Sequence, residues 1–579
     1  INLRPGGDVA EAERVADQVL ADFLAKGVTK EELDRAKTSI RAGFLRGLER
    51  MGGFSGRTTI LAEGTLYAGN PGHYEQVLTW LDAATPADIQ ASARQWLGNG
   101  WHQVDILPFG TPAETASVID RKKGLPAVST TPDLVFPALQ ETQLSNGIKL
   151  VLAERPGTPL VEAAIQFDAG SSADPGDKPG LAGLTMNMLD EGAAGKSAIQ
   201  IAEMLDGLGA SIGVSNQLDV SRVRLSALKE KLIPSLALWA DVVRRPDFNS
   251  ADMERLRRNQ LAGIQQEKAS PQSLALRLLP PALYGSSHPY GKPFTGSGTE
   301  ASIKSLAVAD LRSFQESWLR PENATIYVSG GVSLAEITPL LEQQFGNWKA
   351  PAAAKGIKAA LTAPAAKPAR VAIIDKPGAP QSFILAGRVG SPGSAADYIE
   401  QSLANDVLGG AFTARVNMNL REAKSWSYGA FTFSADARGP RPWMIFAPVQ
   451  SDKTKESVQE LLKEVRDFSS TKPPSAQELD RQIKSNVRSL PGAFESVGSV
   501  LGRIVSDAAL GRPVDYVTGL KQKYETVTPA SAKMAGSAEF RTDDLLWVIV
   551  GDRSKIEAGI RSLNLGPVEI WNEDGQKIG

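Results

Sequence analysis

The sequence contains no cysteine and only three histidines, His73, His102 and His288. The first absence removes disulfide frameworks, thiolate metal sites and cysteine nucleophiles. The second leaves no two histidines at a metal-ligand spacing. Neither sign of charge dominates, since 63 basic and 65 acidic residues give a net charge of −2. A nucleic-acid footprint and a disordered acidic tail are both missing. Long apolar runs are missing as well, and Leu545–Val550 has the size of a buried strand, far short of a membrane span. The opening INLRPGG carries neither a starting methionine nor a signal segment, so the chain reads as processed or truncated. A cysteine-free chain of this composition suits the periplasm, although the lack of cysteine alone fixes no compartment.

What is present is enough apolar residue, 42% of 579, to fill several domain cores. To about Gly110 the pattern is helical, with apolar residues at helical spacing in Val9–Leu24 and a capping box from Thr29 to Glu32. Thr85-Pro86 opens a helix to Leu97, and Trp101–Leu107 reads as a strand. A tether rich in Pro, Thr and Ala follows from Thr111. LSNGIKLVL then signals a hairpin turning at Asn146-Gly147. A strand over Val161–Ala169 and helices over Ile199–Leu208, Leu232–Val243 and Ser250–Ala269 come next. Val308–Leu319 and Ala324–Ser329 read as helix then strand, Ala350–Lys367 as a linker, and the remainder as strands first and helices later.

Internal repetition is the most informative feature. Residues 87–97, ADIQASARQWL, match 309–319, ADLRSFQESWL, and Thr85-Pro86 recurs as Thr528-Pro529. Independently, EELDRAKTSIRAGFLRGLERMGGFSGR at 31–57 matches QELDRQIKSNVRSLPGAFESVGSVLGR at 477–503. The offsets agree on a unit of about 220 residues, too long for a solenoid and suited to duplicated domains of strands and helices. The helices before the first tether make only half such a unit, and a bare apolar helix face is costly. A separate upstream segment is therefore expected to complete that sheet.

Gly409–Tyr428, GGAFTARVNMNLREAKSWSY, holds the candidate chemistry. Thr413–Lys424 reads as a helix with Thr413 as its N-cap. Arg421 and Tyr428 bracket the helix end and the start of the next extended segment, where a fixed cation and a phenol can converge on a carbonyl oxygen gaining charge. The alternative is a surface arginine and a half-buried strand tyrosine.

LSNGIKLVL, GSSAD, GLAGLTMNMLDEG, HPYGKP, DKPGAPQS and GGAFTARVNMNLREAKSWSYGAF resemble, in this order, the pitrilysin/insulinase family of zinc metallopeptidases, inverted zincins with an H-x-x-E-H helix. The resemblance extends over essentially the whole chain. It implies an α+β fold of repeated domains, antiparallel or mixed sheets with helices packed on one face, in a clamshell of two halves. Residues 1–110 would be the C-terminal half of a second domain, 111–139 a linker, 140–350 an inactive third domain, 351–369 a linker, and 370–579 a fourth domain.

The metal motif departs from the family. Gly183 and Asn187 stand at the two histidine positions and Met186 at the catalytic glutamate, while the third ligand would fall near Ala262-Gly263. Gly and Met cannot bind zinc, so this chain alone is expected to be inactive, and His288 is expected to form a turn. The resemblance implies that zinc, the general base and the peptide-pairing strand reside in an absent N-terminal fragment or partner chain. Arg421 and Tyr428 would then be catalytic contacts to the scissile carbonyl of peptide substrates. Gly409, Gly410 and Phe412 would line the same wall, unless they form only a helix-opening turn. The rival reading is a non-catalytic scaffold subunit of the same family.

Overall fold

The computed structural model describes residues 8–53, 56–98, 100 and 133–578. The chain divides into two compact units: one is built on the first five helices and includes Glu203–Ala210, and the other holds Leu134–Ala202 and the chain from Ser211 onward.

In the first unit the helices are α1 (Val9–Lys26), α2 (Lys30–Leu48), α3 (Arg57–Ala68), α4 (His73–Ala83) and α5 (Pro86–Leu97). Capping boxes set two of their starts. Thr29 Oγ1 accepts from Glu32 N at 3.1 Å while the Glu32 carboxylate accepts from Thr29 N at 2.7 Å. Thr85 and Asp88 repeat the arrangement before Pro86. Yet α1 and α4 bury no residue, and Val19 on α1 is 64% exposed. The strand expected over Trp101–Leu107 and the tether up to residue 132 lie outside the described residues.

The second unit holds two six-stranded sheets and a small ribbon. The first sheet is made of β1 (Leu139–Gln143), β2 (Lys149–Glu154), β3 (Leu160–Phe167), β6 (Ser211–Asn216), β7 (Ser221–Leu228) and β8 (Ala324–Gly330), and the ribbon of β4 (Gly192–Ala193) and β5 (Lys196–Ser197). The second sheet is made of β9 (Arg370–Asp375), β10 (Gln381–Pro392), β11 (Phe431–Ser434), β12 (Pro440–Gln450), β13 (Leu546–Gly551) and β14 (Val568–Trp571). The orders β6-β7-β3-β8-β2-β1 and β11-β12-β10-β13-β9-β14 superpose in pattern. In each, a parallel pair, β2 with β8 or β9 with β13, sits among antiparallel neighbours. Only the last edge differs: β1 is antiparallel to β2 through the Asn146-Gly147 turn, whereas β14 runs parallel to β9. Both sheets are therefore mixed and the class is α+β.

The helices repeat too. After the first sheet's opening strands come α6 (Leu181–Asn187), α7 (Ala198–Leu208), α8 (Leu232–Arg244), α9 (Ser250–Ala269), α10 (Pro271–Tyr284), α11 (Glu300–Ser305), α12 (Val308–Trp318) and α13 (Leu334–Leu341). The second copy has α14 (Tyr398–Asn405), α15 (Arg415–Asn417), α16 (Thr454–Ser469), α17 (Ala476–Ala493), α18 (Val497–Ala509), α19 (Leu520–Glu525), α20 (Pro529–Glu539) and α21 (Arg553–Arg561). Helices α5, α12 and α20 begin at Pro86, Val308 and Pro529, in keeping with the sequence repeat.

Each copy lends one helix to the other. Helix α10 packs on β10 and β13 through Leu274, Leu278 and Leu279, against Phe383, Leu385, Leu546 and Val548. Helix α18 packs on β3 and β8 through Val500, Leu501, Ile504 and Val505, in the core that holds Ala164 and Tyr327. Arginines fasten these crossings. Arg155 donates to the Phe494 and Glu495 carbonyls, Arg222 to Val505 O at 2.9 Å, and Arg370 to Ala282 O at 2.9 Å. The expectation of helices on one sheet face therefore needs correcting. A copy's own helices cover one face of the second sheet, and the helix lent by the other copy covers the opposite face. This explains why all of Leu546–Gly551 is buried: both sides of β13 are core.

Candidate functional site

Helix α14 runs into a π-helical turn, Asp406–Gly410, and a second such turn, Met418–Ala423, follows α15. The helix expected over Thr413–Lys424 thus starts later and is wound more loosely. Its N-cap is Ala414, in extended conformation and with no side chain to cap, instead of Thr413, because a turn closes from Ala414 N to Ala411 O at 3.0 Å. At Gly409 a Cβ would lie 2.5 Å from Thr432 Oγ1 and 2.7 Å from Thr432 N, so only glycine lets this turn press against β11. Gly409 is buried, whereas Gly410 and Phe412 reach the surface.

Beyond the second turn, Ser425 adopts φ +55° and reverses the chain. Ser425 N donates to Arg421 O at 3.0 Å and Trp426 N to Leu420 O at 2.9 Å. This reversal brings Tyr428 back over Arg421. The guanidinium carbon of Arg421 lies 5.1 Å from the Tyr428 ring centre and 4.6 Å from that of Phe412. Two aromatic rings therefore hold one cation, each contact being worth about 0.5–1 kcal/mol at such an exposed site. Tyr428 is 86% exposed, and its hydroxyl bonds to no described residue. The ion partner of Arg421 is Glu422, 3.4 Å from its Nε.

Asn417 supports the cluster from beneath and was not legible in the sequence. It is fully buried, donating from Nδ2 to Phe412 O at 2.7 Å and accepting from Ala430 N at 3.2 Å. One amide thus ties the Phe412 loop to the segment carrying Tyr428. Ser427 adds a second tie, donating to Pro448 O at 2.6 Å and accepting from Gly429 N at 3.1 Å. On the outer side Asn419 bonds Glu460 at 2.9 Å and Glu464 at 2.7 Å. Burial works to raise the Glu460 carboxyl, but the bonds from Asn419 and Lys424 prevail and hold it low. Asp406, beneath the glycines, moves the other way: burial raises it, and Asn486 offsets only part. The result is a rigid platform presenting a guanidinium and a phenol to solvent, both donors to an anionic or partly charged oxygen.

The position of the family's metal offers no such donor set. Met186 is fully buried, Asn187 is exposed, and a Cβ at Gly183 would lie 3.1 Å from Gly296 O. Across from them stand Asn259 and Gln260 of α9, one turn earlier than the expected Ala262-Gly263. With Ser215, Asn216, Ser297 and the apolar Val214 and Leu256 they line a cleft of about 480 Å³ that mixes amides and hydroxyls with aliphatic side chains. Among the described residues no three of His, Cys, Asp or Glu gather where they could hold a metal. Zinc does not fit this donor set. His288 is a turn residue: its Nδ1 accepts from Tyr290 N at 3.0 Å, its Nε2 lies 3.0 Å from Thr362 O, and its ring stacks on Tyr284.

Two copies of a mixed six-stranded sheet, with Gly183 and Asn187 at the metal-helix positions, define a duplicated peptidase-type fold that shows no metal-ligand cluster among the described residues. Residues 149–296 match the family model described as insulinase (peptidase family M16), and residues 305–486 match the peptidase M16 inactive domain. The chain belongs to the pitrilysin/insulinase family of metallopeptidases. A crystal structure of a peptidase M16 inactive domain from Pseudomonas fluorescens is similar to 72% of this chain and 98% of its own, with 27% identity and a TM-score of 0.66. The uncharacterized zinc protease YmxG of Bacillus subtilis is 23% identical over 363 residues, which is 62% of this chain and 85% of that protein. The non-peptidase homolog YmxG of Helicobacter pylori is 21% identical over 434 residues, 73% of this chain and 97% of that one.

Proposed function

We propose that this chain is the metal-free half of a zinc peptidase that hydrolyses peptides in an enclosed, clamshell-like chamber. In this reading the metal and the general base belong to another segment or subunit. The observation that supports it most is the aromatic clamp on Arg421. A guanidinium fixed between Phe412 and Tyr428, with the Tyr428 hydroxyl free beside it, suits a peptide carbonyl that becomes an oxyanion. Both groups would donate to that oxygen, and Gly410 with the ring of Phe412 would border the substrate strand. The uncovered apolar side of α1 fits the same scheme. Its counterparts α8 and α16 bury Leu236 and Trp239, or Leu461 and Val465, whereas Val15 and Val19 of α1 remain exposed. A strand-bearing segment of the metal-carrying partner would cover them.

The test uses the intact native assembly. Stoichiometric zinc, chelator-sensitive peptide cleavage, and a loss of about 10²–10³ in turnover for Tyr428→Phe or Arg421→Met are expected. Normal turnover in both variants removes the assignment. One specific observation favours a second reading, a non-catalytic partner subunit: glycine and asparagine have replaced the metal ligands, as the name of the Helicobacter pylori relative would suit. An assembly complete with its partner but free of zinc and of cleavage would establish that reading.

A further inference from the structure

Beneath α14, the start of β12 and the end of α20 enclose a chamber of about 190 Å³ lined by Tyr398, Gln401, Ser434, Arg441 and Glu539, with Asp436 at its rim. Arg441 and Gln401 are each 4% exposed and Glu539 is 3% exposed. The Arg441 guanidinium makes no hydrogen bond or ion pair with any described residue. Its Nε is fully buried and unpartnered, and its guanidinium carbon lies 4.9 Å from the centre of the Tyr398 ring. Gln401 donates its amide to Asp397 at 2.9 Å, yet its Oε1 is buried without a donor. The Glu539 carboxylate accepts from Ser391, through the backbone N at 3.1 Å and the hydroxyl at 3.0 Å, and pairs with no cation among the described residues; Arg388 bonds the Glu539 backbone carbonyl at 2.8 Å and gives its charge to Asp544.

A buried cation and a buried anion thus face one space without touching. Burying an unpaired charge is costly, and leaving a buried carbonyl without a donor adds to the cost. Direct pairing of Arg441 with Glu539 would relieve the first cost, and the fold keeps them apart. We propose that this chamber is a binding site for a free α-amino acid. The ligand's carboxylate would take the Arg441 donors, and its ammonium would donate to Glu539 and to Gln401 Oε1. One positive and one negative wall match a molecule with one charge of each sign, and the volume limits the side chain to a small one. A lone anion leaves Gln401 Oε1 without a donor and Glu539 without a counter-charge, and water, which can donate to both, brings no charge to match Arg441 or Glu539.

The experiment is titration calorimetry of the purified chain with glycine and alanine, set against acetate and methylamine, together with thermal shifts of the same mixtures. Glycine or alanine should bind at least about tenfold more tightly than either half-molecule. Arg441→Met should abolish the binding while leaving the unliganded chain folded and no less thermostable, because the orphan cation is gone. Gln401→Leu, nearly the same shape, serves as a second variant and should weaken binding at least severalfold. Acetate binding as well as glycine would make this a simple anion site and overturn the assignment. So would undiminished binding by Arg441→Met, or the absence of any amino-acid response together with a crystal structure showing only water in the chamber.

Discussion

Leu279 is the sharpest probe of the exchange of helices between the two copies. It belongs to α10 of the first copy, is fully buried, and lies against β10 of the second, where a Cβ on Gly387 would stand 2.8 Å from its Cδ2. Leu279→Ala removes three buried carbons, about 2.4 kcal/mol of transfer free energy at about 0.8 kcal/mol each. The cavity term raises this to about 3–4 kcal/mol. Because the hole opens under the second sheet, the loss should appear there, although the altered residue lies more than a hundred positions upstream. Hydrogen exchange under native conditions reads this directly: amides of Leu546–Val550 should lose protection together with those of α10. The double variant Gly387→Ala/Leu279→Ala gives an independent check. The new methyl enters the space the leucine left, so the pair should be less destabilised than the sum of the two single variants. Faster exchange confined to the first sheet, with β13 still protected, would refute the reasoning, as would strict additivity.

Asn417→Ala strands the buried Ala430 N and removes the part-buried bond to Phe412 O, and should cost about 1–3 kcal/mol in urea denaturation, whereas Tyr428→Phe, at an exposed ring, should stay within about 0.5 kcal/mol. Glu478 is desolvated, but Arg415 at 2.7 Å and the Ser475 cap prevail and hold its carboxyl at about 2, below the usual 4.5. Its contribution to stability is therefore complete above pH 4.5 and disappears as the pH falls through about 2. Glu478→Gln should flatten that part of the stability–pH curve, and an unchanged slope would assign the acid sensitivity to other groups. Elemental analysis of the purified chain after dialysis against a zinc buffer should find no stoichiometric zinc, and one tightly held ion would contradict the amide-lined cleft.

Much of the architecture could be read from local signals because those signals are themselves local chemistry. The capping box at Thr29, the Thr85-Pro86 helix opening, the Asn146-Gly147 turn and the long polar stretch Ser250–Ala269 act within a few residues, and the elements stand where they were expected. Helix α10 escaped notice because Pro280-Pro281 lies inside it, and such a pair ordinarily ends a helix. What sustains it is distant: its leucines are held by a sheet that the sequence supplies a hundred residues later. The candidate site divides the same way. Arg421 and Tyr428 stood out by residue type, yet the reversal at Ser425 and the buried amide of Asn417, which bring the rings onto the cation, carry no distinctive pattern. The same logic explains the metal position. Counting along α9 by likeness pointed at Ala262-Gly263, but helix packing decides which side chain faces α6, and there Asn259 and Gln260 meet Asn187 across the cleft. Val214 and Leu256 line the cleft beside Asn187, Asn259, Gln260 and Ser297, with no carboxylate or imidazole among them, and Gln260 is bonded to Ser297 O at 2.9 Å, so the cleft offers zinc no donor set.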